Sequence, residues 1–408
     1  MSGAVPPGGA PPGAPQPEAG DARGPDSRRE ILFLTATRAD FGKLKPLIER
    51  VRDSQAFRYR IFVTGMHMLS RYGSTAREIE KAGFTGLFHH INQDGAVTSQ
   101  MDLVLANTIQ GLGHYVREFP PDLIVVHGDR LEALAGAAVG ALNNTLVAHV
   151  EGGELSGTVD ELLRHAVSKL SHVHFVANEE ARTRLVQMGE LPQSVFVVGS
   201  PDIDVMLGDS LPDLDEVRRK YEIPFQDYVI LMYHPVTTEL EKLGRHIEEV
   251  AAAIEDSGRA CVAIFPNNDA GSEMILERLR ALAAGRPERV RLIPSMRFEY
   301  FLRLLKGASA IVGNSSAGVR EAPVYGVPTV NVGTRQLNRV RGGASVLDVP
   351  EDRAAIGQAL ANLPRDCAPS RHFGHGNSAE LFLEALGGSG FWSTPRQKQF
   401  RDVGIARG

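Results

Sequence analysis

The sequence predicts an α/β protein built as two Rossmann-like domains that face one another across a cleft. Three observations carry that prediction. The chain has 408 residues, more than one core usually holds, so about two domains are expected. Short continuous apolar runs alternate with longer stretches of helical period, the pattern of a parallel sheet covered on both faces. The alternation pauses once, in a polar stretch containing Pro201, Pro212 and Pro224, and then restarts.

Taken in order, Ile31-Leu32-Phe33-Leu34 reads as the first strand, followed by a helix whose apolar positions are Leu44, Leu47, Ile48 and Val51. Further strands of the first half are expected at 60–63, 123–126, 145–148, 173–176 and 195–198. Those of the second half are expected at 228–232, 262–265, 290–293, 310–312 and 329–332. The domains are accordingly drawn at 28–205 and 206–388, with a tail at 389–408. Residues 1–27 are mostly Pro, Gly and Ala, and such a segment buries too little surface to offset its ordering entropy. Two facing Rossmann-like domains match the glycosyltransferase-B arrangement, by analogy of architecture.

Composition narrows the function classes. A net charge of -5 offers no basic footprint for nucleic acid or an anionic membrane. A site for a polyanion must then be built locally, from a few placed Arg, His and backbone N–H groups. The two cysteines, Cys261 and Cys367, suggest neither a disulfide framework nor a zinc site, which fits a reducing, cytoplasmic setting. No apolar run is long enough to span a bilayer.

Nearly every unusual polar cluster follows directly after an expected strand. In the first half these are Thr37-Arg38-Ala39-Asp40, Thr64-Gly65-Met66-His67, His127-Gly128-Asp129-Arg130 and Glu151-Gly152-Gly153-Glu154. In the second they are His234-Pro235, Pro266-Asn267-Asn268-Asp269, Gly313-Asn314-Ser315-Ser316 and Gly333-Thr334-Arg335. Open α/β sheets bind ligands beyond the carboxyl ends of their strands, so these loops converge on one cleft. Several clusters admit two readings. The Ser315–Ser316 turn is either an N-cap or an anion site at a helix start, and Arg335 within reach favours the anion. Glu321 is either a ribose-hydroxyl grip or a solvated helix position. Asp129 is either a turn former or part of a charged pocket with Arg130. Thr158-Val159-Asp160-Glu161 reads as a capping box that spends Glu161 on the backbone and leaves Asp160 for the site.

The segment His149-Val-Glu-Gly-Gly-Glu-Leu-Ser-Gly-Thr-Val-Asp-Glu-Leu-Leu-Arg-His165 resembles the signature of hydrolysing UDP-N-acetylglucosamine 2-epimerases of the sialic-acid-pathway type. Thr37 to Lys43, His127 to Arg130, His234 to Thr238, Pro266 to Gly271, Gly313 to Ser316 and Asn331 to Arg335 are similar to that family's other motifs, in family order. The resemblance covers about Ile31 to Leu386. It implies a reaction without metal or cofactor, a nucleotide-sugar substrate, and self-association as a dimer or tetramer. Carried over by position, Arg38, Arg130, Asn267, Ser315, Ser316, Glu321 and Arg335 would hold the nucleotide, with His234. Asp129, Glu151 and Asp160 would serve the sugar, with His67 nearby; Asp129, Glu151, Asp160 and His234 form the expected catalytic set. One departure is Gly42, where some members carry a Ser near the nucleotide.

Overall fold

The computed structural model describes residues 28–93, 100–156, 159–267, 269–337, 339 and 343–402. The expected tail 1–27, Thr158 of the capping box and Asn268 lie outside the described residues. The first lobe holds seven strands: β1 (Arg29–Thr35), β2 (Phe57–Val63), β3 (Leu87–His89), β4 (Leu123–His127), β5 (Leu146–Val150), β6 (Val173–Val176) and β7 (Val195–Val197). The second holds six: β8 (Val229–Met232), β9 (Cys261–Ile264), β10 (Val290–Ile293), β11 (Ala310–Gly313), β12 (Thr329–Val332) and β13 (Val346–Val349). Their orders are β3-β2-β1-β4-β5-β6-β7 and β10-β9-β8-β11-β12-β13, with every pairing parallel.

In each sheet the strand order reverses once, between β1 and β4 in the first lobe and between β8 and β11 in the second. Loops leaving two such strands diverge to opposite faces and open a crevice. The two crevices face one another, which brings the Thr37 and His127 loops opposite those of His234 and Ser315.

Apolar side chains cover both faces of each sheet. One cluster on the first lobe joins Phe33, Leu44, Ile48 and Phe175, while Leu32, Phe62, Val126 and Val147 pack on the opposite face. The second lobe is built likewise around Ile230, Val262 and Ile311, and around Val229, Leu231 and Val312. The sequence passed over β3 and β13, edge strands of three and four residues without a continuous buried run. Pairing with one fully buried neighbour, rather than their own patterning, makes them strands.

The chain's end departs from the expected boundaries. The helix Ser378–Gly387 returns to the first lobe, where Phe382 packs with Phe175 at a centroid distance of 4.6 Å. Burying that ring contributes about 2–3 kcal/mol. Both Asp204 carboxylate oxygens accept from the helix's leading N–H groups, those of Ser378 and Ala379, at 2.8 Å. Residues expected to form a tail are also docked. Phe391 is buried, and the Lys398 ammonium lies 2.5 Å from the buried Glu190 carboxylate. The first lobe is thus discontinuous, made of its first 200 or so residues plus the last two dozen described.

Candidate active site

A cavity of about 370 Å³ lies between the lobes, lined by all the loops named above; the loop bearing His67 contributes Met66 rather than His67. On the first lobe, Thr37 caps the helix Arg38–Asp53 by accepting the Asp40 N–H at 3.1 Å, which sets Arg38 on the cavity wall. The Arg38 guanidinium grips Glu78, with Nε donating at 2.8 Å, and crosses to the second lobe to donate to Ser295 Oγ at 2.6 Å. Arg130 reaches back to Glu132 at 3.4 Å.

Beneath this wall lies a charged knot. Glu151 follows β5 with φ +63°, a left-handed conformation a non-glycine residue adopts at a cost of about 1–3 kcal/mol. Local bonds hold it there: its N–H donates to the Phe175 carbonyl at 2.9 Å and its carbonyl accepts from Arg164 at 2.7 Å. Its carboxylate faces His127 at 3.2 Å, Lys43 at 3.6 Å and Arg320 at 2.8 Å. Lys43 also lies 3.1 Å from Asp202 and 3.3 Å from Glu321, and Arg320 pairs with Glu154. Burial alone would push the Glu151 carboxyl up, but Arg320, Lys43 and His127 bring it well below the usual range. Burial likewise disfavours the His127 cation, yet Glu151 and Asp40 raise that imidazole to about 9.

Asp129 and Asp160 sit higher on the wall. Burial opposes ionisation of Asp129, but its partners Arg164 and Arg339 lower it below the ordinary value. Burial and the neighbouring Asp129 raise Asp160, only partly offset by Arg335 at 3.3 Å. Two adjacent carboxyls are therefore pushed apart in proton affinity, the pattern that separates an acid from a base. Glu161 accepts the Ser156 N–H at 2.9 Å, so its carboxylate is engaged with the preceding backbone.

From the second lobe, His234 Nδ1 accepts the Asn267 N–H at 3.0 Å. That bond leaves the proton on Nε2, and burial together with Arg335 holds the ring neutral, down to about 3. Here His234 is a neutral N–H donor. Ser315 Oγ accepts from Ala317 N–H at 3.3 Å, so the N-cap reading holds for this hydroxyl. Ser316, Arg335 and the Asn267 side chain complete that wall. Glu321 lies on the cavity floor, buried against Lys43 rather than on a solvated helix face.

His67 is the one expected site residue that the fold keeps away from the cavity lining. It is 1% exposed, with Nε2 3.1 Å from Thr35 Oγ1 and Nδ1 2.6 Å from Thr75 Oγ1. Burial lowers it to about 4, so it is a neutral strut beneath the loop. Conversely, the sequence reading assigned no role to Lys43, His127, Arg164, Arg320 or Arg339, all of which line the cavity. Arg164 stands one helical turn after Asp160, a spacing that could have found it. At Gly42 an added Cβ would lie 2.5 Å from the Phe298 ring, so an aromatic of the second lobe fills the space a serine would need.

With this geometry in place, a family profile described as UDP-N-acetylglucosamine 2-epimerase matches residues 49–387. The chain belongs to that family. A Neisseria meningitidis serogroup B relative, "UDP-N-acetylglucosamine 2-epimerase", is 44% identical over 386 residues, spanning 92% of this chain and all of that protein. A Legionella pneumophila relative, "UDP-N,N'-diacetylbacillosamine 2-epimerase (hydrolyzing)", is 33% identical over 88% of this chain and 95% of its own length. Among solved structures, the Methanocaldococcus jannaschii UDP-GlcNAc 2-epimerase in complex with UDP-GlcNAc and UDP superposes with a TM-score of 0.73. That match is 21% identical and covers 88% of this chain and 99% of the other; it establishes the shared two-lobed fold of the family.

Proposed function

We propose that the protein is a hydrolysing 2-epimerase that converts UDP-N-acetylglucosamine to free N-acetylmannosamine and UDP. The observation that carries this reading is the pair Asp129 and Asp160, adjacent carboxyls of opposed proton affinity, set against the donor wall of Arg335, His234 and Ser316. The hydrogen at C2 of such a sugar is not flanked by a carbonyl, so direct deprotonation is unfavourable. Cleavage of the C1–O bond comes first, with its electron pair leaving on the diphosphate. Arg335 and the neutral His234 N–H stabilise that charge, each contact of this kind being commonly worth about 3 kcal/mol. The ionised Asp129 then removes the C2 proton, and the C–H electrons form the C1=C2 bond of 2-acetamidoglucal. Asp160, the carboxyl that burial and Asp129 raise, delivers a proton to the opposite face of C2, and its carboxylate takes the proton released by the water whose hydroxyl adds at C1; Asp129 then gives the C2 proton to solvent.

The Glu-Gly-Gly-Glu-Leu-Ser-Gly-Thr form of the signature supports the hydrolysing branch, as does the Legionella relative's name. That name also favours one second reading, the same reaction on a UDP- or GDP-linked 2,4-diacetamido-trideoxy sugar. Incubation of the three nucleotide sugars in doubly labelled water tests both. UDP-N-acetylglucosamine should give UDP and N-acetylmannosamine in equal amounts, with solvent oxygen at C1 and solvent deuterium at C2. UDP-N-acetylmannosamine as the sole new product would overturn the hydrolytic step, and turnover of a diacetamido sugar alone would replace the substrate.

A further inference from the structure

Next to Thr334, and outside the cavity lining, stands a second group of polar side chains. Glu239 comes from the turn after β8, His246 from the first turn of the helix Leu243–Ser257, and Glu351 from the loop after β13. One ligand-capable atom of each lies within 4.8 Å of the others. His246 Nδ1 and Glu351 Oε1 are 3.6 Å apart, too long for a hydrogen bond, and their side chains are only 12% and 11% exposed. That separation is close to the roughly 3.4 Å that two ligands on a tetrahedral zinc ion keep, given bonds of about 2.0–2.2 Å.

A second observation points the same way. Tyr233 is wholly buried, and neither its hydroxyl nor Glu351 Oε1 makes a well-formed hydrogen bond among the described residues. The Tyr233 hydroxyl faces Glu351, and a buried carboxylate oxygen without a well-formed bond is costly, a cost that a cation bound at Glu351 would offset. The backbone is shaped to let the carboxylate in: Gly333 has φ +76°, and a Cβ there would run into Glu351. Glu239 is oriented by Thr334, whose hydroxyl donates to Oε1 at 2.6 Å.

We propose that Glu239, His246 and Glu351 form a binding site for one divalent first-row metal ion, outside the reaction cavity. An imidazole with two carboxylates suits a borderline ion such as Zn²⁺ or Mn²⁺ better than Mg²⁺, which takes oxygen ligands and keeps its waters. The site ties the ends of β8, β12 and β13 together. Tyr233 precedes His234 and Thr334 precedes Arg335, so the ion braces the backbone that presents both diphosphate donors without touching substrate. Its role is structural support, and the chemistry above proceeds without it.

The test uses the full chain, stripped with a chelator, passed through gel filtration and titrated with Zn²⁺ alone. One ion per chain should bind, with Mg²⁺ in excess failing to displace it. Saturation should raise the melting temperature by about 3 °C or more, since the ion binds only the assembled site. His246→Ala and Glu351→Gln should each retain less than a tenth of an ion and lose the thermal shift, while melting like the stripped wild type in chelator. Should one variant fold poorly, Glu239→Gln gives the same reading from the third ligand. Wild-type protein that binds no Zn²⁺ overturns the proposal, and so does uptake that is equal in wild type and His246→Ala.

Discussion

The cleft contains two groups of carboxylates in contrasting settings. Glu151 lies in the knot, 3% exposed, with Arg320, Lys43 and His127 all directed at it and a backbone in the left-handed region. Asp160 lies on the wall, its side chain 24% exposed, with Arg335 at 3.3 Å. Both are acidic residues following an apolar strand in Gly-rich or helix-opening sequence, yet their surroundings drive their proton affinities in opposite directions. Cations hold Glu151 ionised, while burial and Asp129 raise Asp160. The comparison teaches that the knot joins the lobes through Arg320 and Glu151, whereas the proposed reaction assigns the proton transfers to the wall. A residue that three cations keep charged is poorly placed to cycle a proton.

The largest effect expected from this contrast is on the knot. Arg320→Met removes the cation shared by Glu151 and Glu154 and leaves two buried carboxylates under-compensated. A stability loss of roughly 3–5 kcal/mol is expected, because breaking a buried pair costs more than the pair itself contributes. Denaturant melts measure it, and an unaltered midpoint would mean that Arg320 is not what holds the knot together.

Next comes the pH dependence of the same knot. The folded His127 value, about 9, lies above its ordinary 6.5, so protonation favours the folded state. This contribution is fully present below pH 6.5 and is lost as pH rises through 9, an effect on the order of 3 kcal/mol. Unfolding free energies at pH 6 and pH 9.5 should differ accordingly in wild type. His127→Gln should flatten that slope, and an equal slope in the variant would assign the effect to another group.

The smallest stability change belongs to the wall. Asp160→Asn should melt within a few degrees of wild type, since a partly exposed ion pair contributes about 1 kcal/mol or less. Its turnover should nonetheless fall about a hundredfold, as expected for loss of a general acid or base. Full turnover would remove Asp160 from the chemistry and return the proton transfers to the knot.

How far the sequence carries can be followed residue by residue. Continuous apolar runs such as Leu123 to Val126 specified buried parallel strands because a strand covered on both faces has no polar side to alternate with. The polar clusters that follow such runs specified a cleft, because parallel strands send their carboxyl ends, and hence their loops, to one edge. Asp129, His234, Asn267, Ser316 and Arg335 could be placed at the cavity on that ground alone, whereas Asp160 came from the capping-box reading of its helix.

His67 looked the same in sequence and differs in fact, because two threonines, one on β1 and one at the loop's far end, take both of its ring nitrogens. Arg320 and Glu154 stand 166 positions apart, and Phe382 meets Phe175 from the other end of the chain. Strand periodicity and loop position are local properties, set by backbone geometry over a few residues, so the sequence by itself determined the two-sheet architecture and the edge where a ligand must lie. Which charges are buried, which partners hold them ionised, and which lobe the last helix joins depend on contacts between distant segments. Those contacts form only when the lobes pack, and only the tertiary structure decided them.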